Sequence, residues 1–205
     1  MTTFIRYILL ILALTVGSSA SAVDSGVSVL DKTVETINKA KSITADYSAA
    51  ADGHVQRGVL TVCGDRFKLI SPSLACWYDG QTQWTYSDVV QEVNITSPTP
   101  EELQQVNPFA IIRAFRSNYV PSLVSVKGNI ATVSLKSKNM RSDIRAALIS
   151  VNTLTNFPEK IELTLINGQK ISITVSRVKT GGLLNADSFR FNSRLLPGVP
   201  VVDLR

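Results

Sequence analysis

The strictest constraint in this chain is an alternation with a period of two. Ile161, Leu163 and Leu165 are followed by Asn167-Gly168 and then by Ile171, Ile173 and Val175, with polar or charged residues between most of them. Side chains alternate across a strand, and Asn-Gly supplies the positive φ angles of a tight turn, so this segment reads as a β-hairpin with one apolar face. Similar short runs cover residues 55–62, 67–70, 75–78, 83–87, 89–95, 123–127, 130–137 and 144–151, punctuated by Gly64-Asp65, Ser71-Pro72, Asp79-Gly80 and Gly128-Asn129. About nine or ten strands joined by such turns form an antiparallel meander, which curls into a barrel or half-barrel. Strands do not alternate with helices, which removes dinucleotide-binding and phosphate-loop folds.

Three segments change period. Val27, Leu30, Val34 and Ile37 recur at three- and four-residue steps between Asp31, Lys32, Glu35 and Lys39, which predicts an amphipathic helix before the strands. Thr99-Pro100-Glu101-Glu102 is a helix start with Thr99 as N-cap and Glu102 closing a capping box. Pro108 cannot continue that helix but opens a second through Phe109, Ile111, Ile112 and Phe115. The fold class is therefore α+β, an unclosed antiparallel β-barrel with an N-terminal helix and two short helices placed to lid its open side. Gly181-Gly182 ends the last strand and a Pro-limited tail follows.

Residues 1–22 carry one cation at Arg6, an apolar stretch at 7–16 and a small-residue pattern ending at Ala22. They read as a secretory signal peptide cleaved after Ala22, the stretch being too short to span a bilayer. The expectation is one exported domain over residues 23–205, soluble and periplasmic, with Val23 rather than a lipid-accepting cysteine at its new N-terminus. The charge of +5 includes no run of Lys/Arg interleaved with aromatics, so no nucleic-acid partner is expected.

Catalytic chemistry is poorly represented. The one histidine, His54, lies in an Asp52-Gly53-His54 turn, and no nucleophile motif, zinc-binding helix or calcium loop accompanies it. Glu101 and Glu102 are explained by capping, and Asp79 and Asp88 by turns. No enzyme activity, metal or cofactor is expected. Two cysteines in an exported chain raise the prospect of a disulfide. The turn register argues the other way, placing Cys63 opposite Arg66 and Cys76 opposite Leu69, on strands separated by a third and about 10 Å apart. That question stays open on the sequence.

The order of motifs resembles the LolA-type periplasmic carriers of outer-membrane lipoproteins. Gly58-Val59-Leu60-Thr61-Val62 followed by Phe67 is similar to that family's G-x-L-x-V and turn-Phe pattern, and Asp79-Gly80-Gln81-Thr82-Gln83-Trp84-Thr85-Tyr86 to its D-G-K-T-x-W-x-Y hairpin. Gln91-Glu92-Val93, Asn107-Pro108-Phe109 and the Phe189-Arg190-Phe191 to Pro197-Gly198-Val199 ending follow in the family's order. The forms D-G-x-T-Q-W, E-V-N and E-E-L-Q also resemble its Bacteroidetes-type branch.

The resemblance implies an apolar cavity for lipoprotein acyl chains, lidded by helices. It implies cargo received from an inner-membrane ABC-type release complex and passed to an outer-membrane acceptor, by a protein expected to be a monomer. Candidate lining residues are Leu60, Val62, Phe67, Leu69, Trp77, Trp84 and Tyr86 from the first sheet, Ile37 from the first helix, and Phe109 and Ile112 from the lid. The two tryptophans are equally well read as plain core, and strand parity alone does not say which face is the interior. Phe109→Glu is expected to abolish acyl binding with the fold intact. The family's Arg-Pro lid latch is absent from the Cys63-Gly64-Asp65-Arg66 turn, so lid control falls to Arg66 only by proximity. The alternative function is an envelope lipoprotein sensor or a binding and scaffold module using the same barrel. A sensor is expected to carry a further C-terminal domain, and a receptor a lipidated N-terminal cysteine.

Overall fold

The computed structural model describes residues 18–205, with side chains from Ser25 onward. The apolar stretch at 7–16 lies outside the described residues, and residues 18–22 open the first helix. No described helix is long and apolar enough to cross a membrane.

Helix α1 (Ser18–Lys39) leads into a twelve-stranded sheet: β1 (Ser42–Ala51), β2 (His54–Cys63), β3 (Arg66–Ile70), β4 (Leu74–Tyr78), β5 (Gln83–Ser87) and β6 (Glu92–Thr96), then β7 (Tyr119–Lys127), β8 (Ile130–Ser137), β9 (Ile144–Asn152), β10 (Pro158–Leu165), β11 (Lys170–Gly181) and β12 (Val201–Asp203). Between β6 and β7 lie α2 (Pro100–Val106), α3 (Pro108–Arg113) and α4 (Phe115–Asn118). The order β12-β6-β5-β4-β3-β2-β1-β11-β10-β9-β8-β7 leaves β12 and β7 as free edges. The barrel is unclosed, as expected.

The predicted turns are in place. Cys63 pairs with Arg66 and Leu69 with Cys76, and both cysteines are free and buried on strands separated by β3. Thr99 and Glu102 form the capping box, the Thr99 amide donating to Glu102 Oε2 at 2.7 Å.

Four expectations are corrected. The strands number twelve, because β1 and β12 add to those the periodicity marks: β1 points Ala45, Ala49 and Ala51 inward, and alanine gives a weak strand signal. β12 is a three-residue strand, parallel to β6, and the Val93 amide of β6 donates to the Pro200 carbonyl. Val89 and Val90 belong to a turn in which Gln91 has φ 54°, and β6 starts at Glu92. The helical segment holds three helices instead of two. Finally, β7 starts four residues early and includes Pro121, tolerated because an edge strand has unpaired amides.

Pairing fixes which face each residue occupies. Ile43, Leu60, Val62, Phe67, Leu69, Cys76, Val133, Leu135, Ile149, Ile161 and Ile173 share an inner face that packs in one cluster with Leu30, Ile37, Phe109, Ile111, Ile112 and Phe115 of the helices. β2 and β3 crowd together at Gly58, where an added Cβ would stand 2.3 Å from the Ile70 carbonyl oxygen.

Candidate ligand-binding site

The inner face of β2–β4, covered by the short helices, is the candidate site. Leu60, Val62, Phe67 and Leu69 are brought together there with Ile37 of α1 and Phe109 and Ile112 of α3, each at most 2% exposed. Alternation on β3 and β4 adds two residues that are not among the expected lining, Cys76 and Tyr78, whose partners across the strands are Leu69 and Phe67. The Phe67 and Tyr78 rings lie 5.4 Å apart. The aromatic and branched side chains of α3 and α4 pack in the same buried cluster as this face. What stays open is a groove of about 520 Å³ at its margin, between α2–α4 and the strand ends, walled by Phe67, Tyr78, Leu103, Ala110, Asp65 and Arg113 among others. That volume is within the range of small-molecule sites.

Trp77, Trp84 and Tyr86 are placed elsewhere. Trp77 directly follows Cys76, so it points to the outer face; Trp84 pairs with Trp77, and Tyr86 with Ala75. The C-terminal tail crosses that face. Its Phe191 ring lies 5.6 Å from Trp77, and Arg190 bonds Asp79 at 2.9 Å. Burial works to raise the Asp79 carboxyl, but the Thr82 and Gln81 amides and the Arg190 guanidinium outweigh it and hold it below its ordinary value. The Ser71–Leu74 turn carried the signal for this parity: once Leu69 faces Cys76, Trp77 falls on the opposite side from Leu69.

Arg66 also belongs to the outer face, its guanidinium 5.6 Å above the buried Phe189 ring. The arginine joining lid and turn is Arg113 of α3, whose Nη1 donates to the Gly64 carbonyl at 2.7 Å and approaches Asp65 at 3.5 Å. Its Nε is buried without a partner. Burial lowers the Arg113 pKa, opposed by Asp65. A second tie is buried, Tyr119 Oη donating to Gln104 Oε1 at 2.7 Å, and a third is exposed, Arg116 on Asp31. A hydrogen bond from a charged, largely buried donor such as the Arg113 guanidinium contributes about 1.5–3 kcal/mol, less where a donor goes unmet. Arg113→Ala is thus expected to speed amide exchange in α2–α4 by about tenfold, with β9–β11 unchanged; hydrogen exchange read by mass spectrometry measures both.

Burial pushes the Cys76 thiol up to about 11, a bond from Thr85 opposing it. The folded state holds that proton more tightly than the unfolded one, so the stability it contributes is full below about pH 9 and is lost as pH rises toward 11. The native protein at pH 8 is therefore expected to resist iodoacetamide at both buried thiols and to take up two labels once unfolded in urea, counted by intact mass.

Among the described residues, no group of His, Cys, Asp and Glu could hold a metal ion, and His54 is exposed at the start of β2. An open, largely antiparallel sheet wrapped over helices, with an apolar face and a groove at the margin of the helical cover, is the build of a binding protein for apolar ligands. Residues 17–169 match the family model of the outer membrane lipoprotein carrier protein LolA, and the chain belongs to that family. This is a family of carrier and binding proteins. Comparison with curated proteins returns no match.

Among solved structures, the chain is similar to an uncharacterized conserved protein from Thermus thermophilus, with a TM-score of 0.58 at 10% identity over 87% of this chain and 99% of the other. It is also similar to a domain described as an outer membrane lipoprotein-sorting protein from Vibrio parahaemolyticus, with a TM-score of 0.52 at 11% identity over 85% and 99%. MucB follows, with a TM-score of 0.50 at 16% identity over 90% of this chain and 66% of that one. At such identities the likeness is one of fold.

Proposed function

We propose that this protein is an exported periplasmic carrier that shields the acyl chains of lipoproteins between the inner and outer membranes. The observation that carries the reading is the inner apolar face of β1–β4 and β8–β11, covered over β2–β4 by three short helices that few polar contacts hold down. Burial is worth about 0.8 kcal/mol per CH₂, so a 16-carbon chain left in water is unfavourable by on the order of 10 kcal/mol. It does not cross an aqueous space unshielded. Phe109, Ile111, Ile112 and Phe115 pack against the concave face, and cargo replaces them against Leu60, Val62, Phe67 and Leu69 as the lid swings out. The exchange of one apolar surface for another keeps loading and release close in free energy, as a carrier requires. The protein takes its cargo from an ABC-type release complex and passes it to an outer-membrane acceptor, after a signal peptide over residues 1–22 has been removed.

The test is to purify the mature protein from envelope extracts and search for co-eluting triacylated lipoprotein by mass spectrometry. Acylated peptides in stoichiometric amounts are expected. A protein always empty, and unable to extract lipoprotein from membranes, defeats the proposal.

A further inference from the structure

One end of the sheet, where β8 and β10 finish and β9 and β11 begin, carries side chains that the lidded site does not use. Met140 in the β8–β9 loop is 78% exposed and Ile166 in the β10–β11 turn 48%. The two loops are tied together, the Ile166 amide donating to the Asp143 carbonyl at 2.8 Å. Around these tips stand Lys136, Lys138, Arg141, Arg145 and Lys170. Lys136 pairs with Ala146, Ala146 with Thr164 and Thr164 with Lys170, so the row spans three inter-strand spacings, about 14 Å.

Among the described residues, none of these five cations is in an ion pair, Lys138 donating instead to the Arg116 carbonyl. The acids nearby are engaged or few: Gln169 donates to Asp52, Lys160 pairs with Glu162, and Asp143 is left. Behind the rim lies a groove of about 820 Å³ whose lining includes Ala50, Met140, Leu148, Lys136, Arg145 and Lys170. Leu135, Ala147 and Leu163 also border it but point inward and are at most 2% exposed, so its accessible walls are outer-face side chains together with the half-buried Ala51 and Ile171 at the strand ends.

We propose that this end of the sheet docks on an anionic lipid bilayer, with Met140 and Ile166 entering the interface and the five cations meeting lipid headgroups. A stable protein partner needs a contiguous, packed patch of roughly 1,000 Å². Two apolar tips on neighbouring loops, ringed by cations, do not supply that. A fluid surface asks for no complementary shape, only apolar insertion and positive charge, each Lys or Arg near an anionic surface contributing measurably. This inference goes beyond acyl carriage and does not depend on it.

The experiment measures co-sedimentation of the purified protein with phosphatidylcholine vesicles, with and without about one-third phosphatidylglycerol, across a salt series. Binding to the anionic vesicles alone, weakening with salt, is expected. The K136E/R141E/K170E variant is expected to lose at least about a hundredfold in affinity. M140S/I166S is expected to lose affinity while keeping the salt dependence. K41E/K127E/K179E makes the same change in net charge at exposed positions away from this end, and is expected to keep its binding. All substituted positions are exposed, and thermal melts check that each variant folds; R141E alone replaces a triple variant that does not. Equal losses in the two triple variants, no preference for anionic vesicles, or binding to an acidic peptide but not to vesicles would overturn the proposal. Cargo is read separately, by mass spectrometry, so failure here leaves acyl carriage standing and the reverse also holds.

Discussion

Gly58→Val is expected to abolish two-state folding at ambient temperature or to lower stability by roughly 3 kcal/mol or more. The reason is space: Gly58 takes no positive φ. A Cβ at this position meets the Ile70 carbonyl oxygen at 2.3 Å and the Ile70 carbonyl carbon and Ser71 Cβ at 3.0 Å. Two of those atoms are backbone, with no rotamer to give. To admit a side chain, β3 must move away from β2, and the Val59–Ile70 and Leu60–Leu69 pairs go with it. Leu60 and Leu69 lie in the floor of the candidate site, so the damage is not confined to the point of contact. Even Gly58→Ala is expected to lower the melting temperature by about 6–12 °C, taking about 3 kcal/mol and 2–4 °C per kcal/mol. Gly182→Ala is the control: its Cβ meets nothing within 4 Å and its φ is not in the left-handed region, so a change within about 0.5 kcal/mol is expected. Trp77 and Trp84 fluorescence during denaturant unfolding reads both variants.

Local rules carried the elements whose cause is local. The hairpin at Asn167-Gly168 and the Thr99–Glu102 capping box depend on a few adjacent residues, and both form, though the hairpin turns over residues 166–168 with only Gly168 at positive φ, which puts Leu163 opposite Ile171. β1 depends instead on neighbours far along the chain: its inward alanines pack because Tyr47 and Ile43 beside them meet Val175 and Val62 across two different strands. β12 exists because the tail folds back onto β6, and no three-residue periodicity announces that. The site was legible in half. The resemblance collected Leu60, Val62, Phe67 and Leu69, which the pairing of β2 and β3 puts on the inner face, together with Trp77, Trp84 and Tyr86, which the same alternation sends to the outer face. Arg113 was out of reach, since its partner is a main-chain carbonyl 49 residues away.

The lid offers the sharper test of where acyl chains go, and full burial of Phe109 decides which substitution to use. With the side chain 0% exposed, Phe109→Glu strands a carboxylate in the apolar cluster that includes Leu60, Phe67 and Ile112, so it disturbs the fold as well as any ligand and separates nothing. Phe109→Ala keeps the surface apolar. It is expected to destabilise the empty protein by about 3–5 kcal/mol, from lost transfer energy and the cavity left behind, and apolar cavities of that kind accept apolar guests. If the Phe109 ring stands where cargo lies, a chain entering the variant displaces less of the lid. A fatty-acyl probe at saturating concentration is then expected to raise the melting temperature of Phe109→Ala by more than it raises that of the parent, because a tighter site converts directly into ligand-induced stabilisation. The competing outcome is equally readable: a variant that melts early and gains no more from the probe than the parent does places the acyl chain away from this face. The concavity between β2–β4 and α3 would then be plain core, and the 520 Å³ groove at its margin the entrance to nothing.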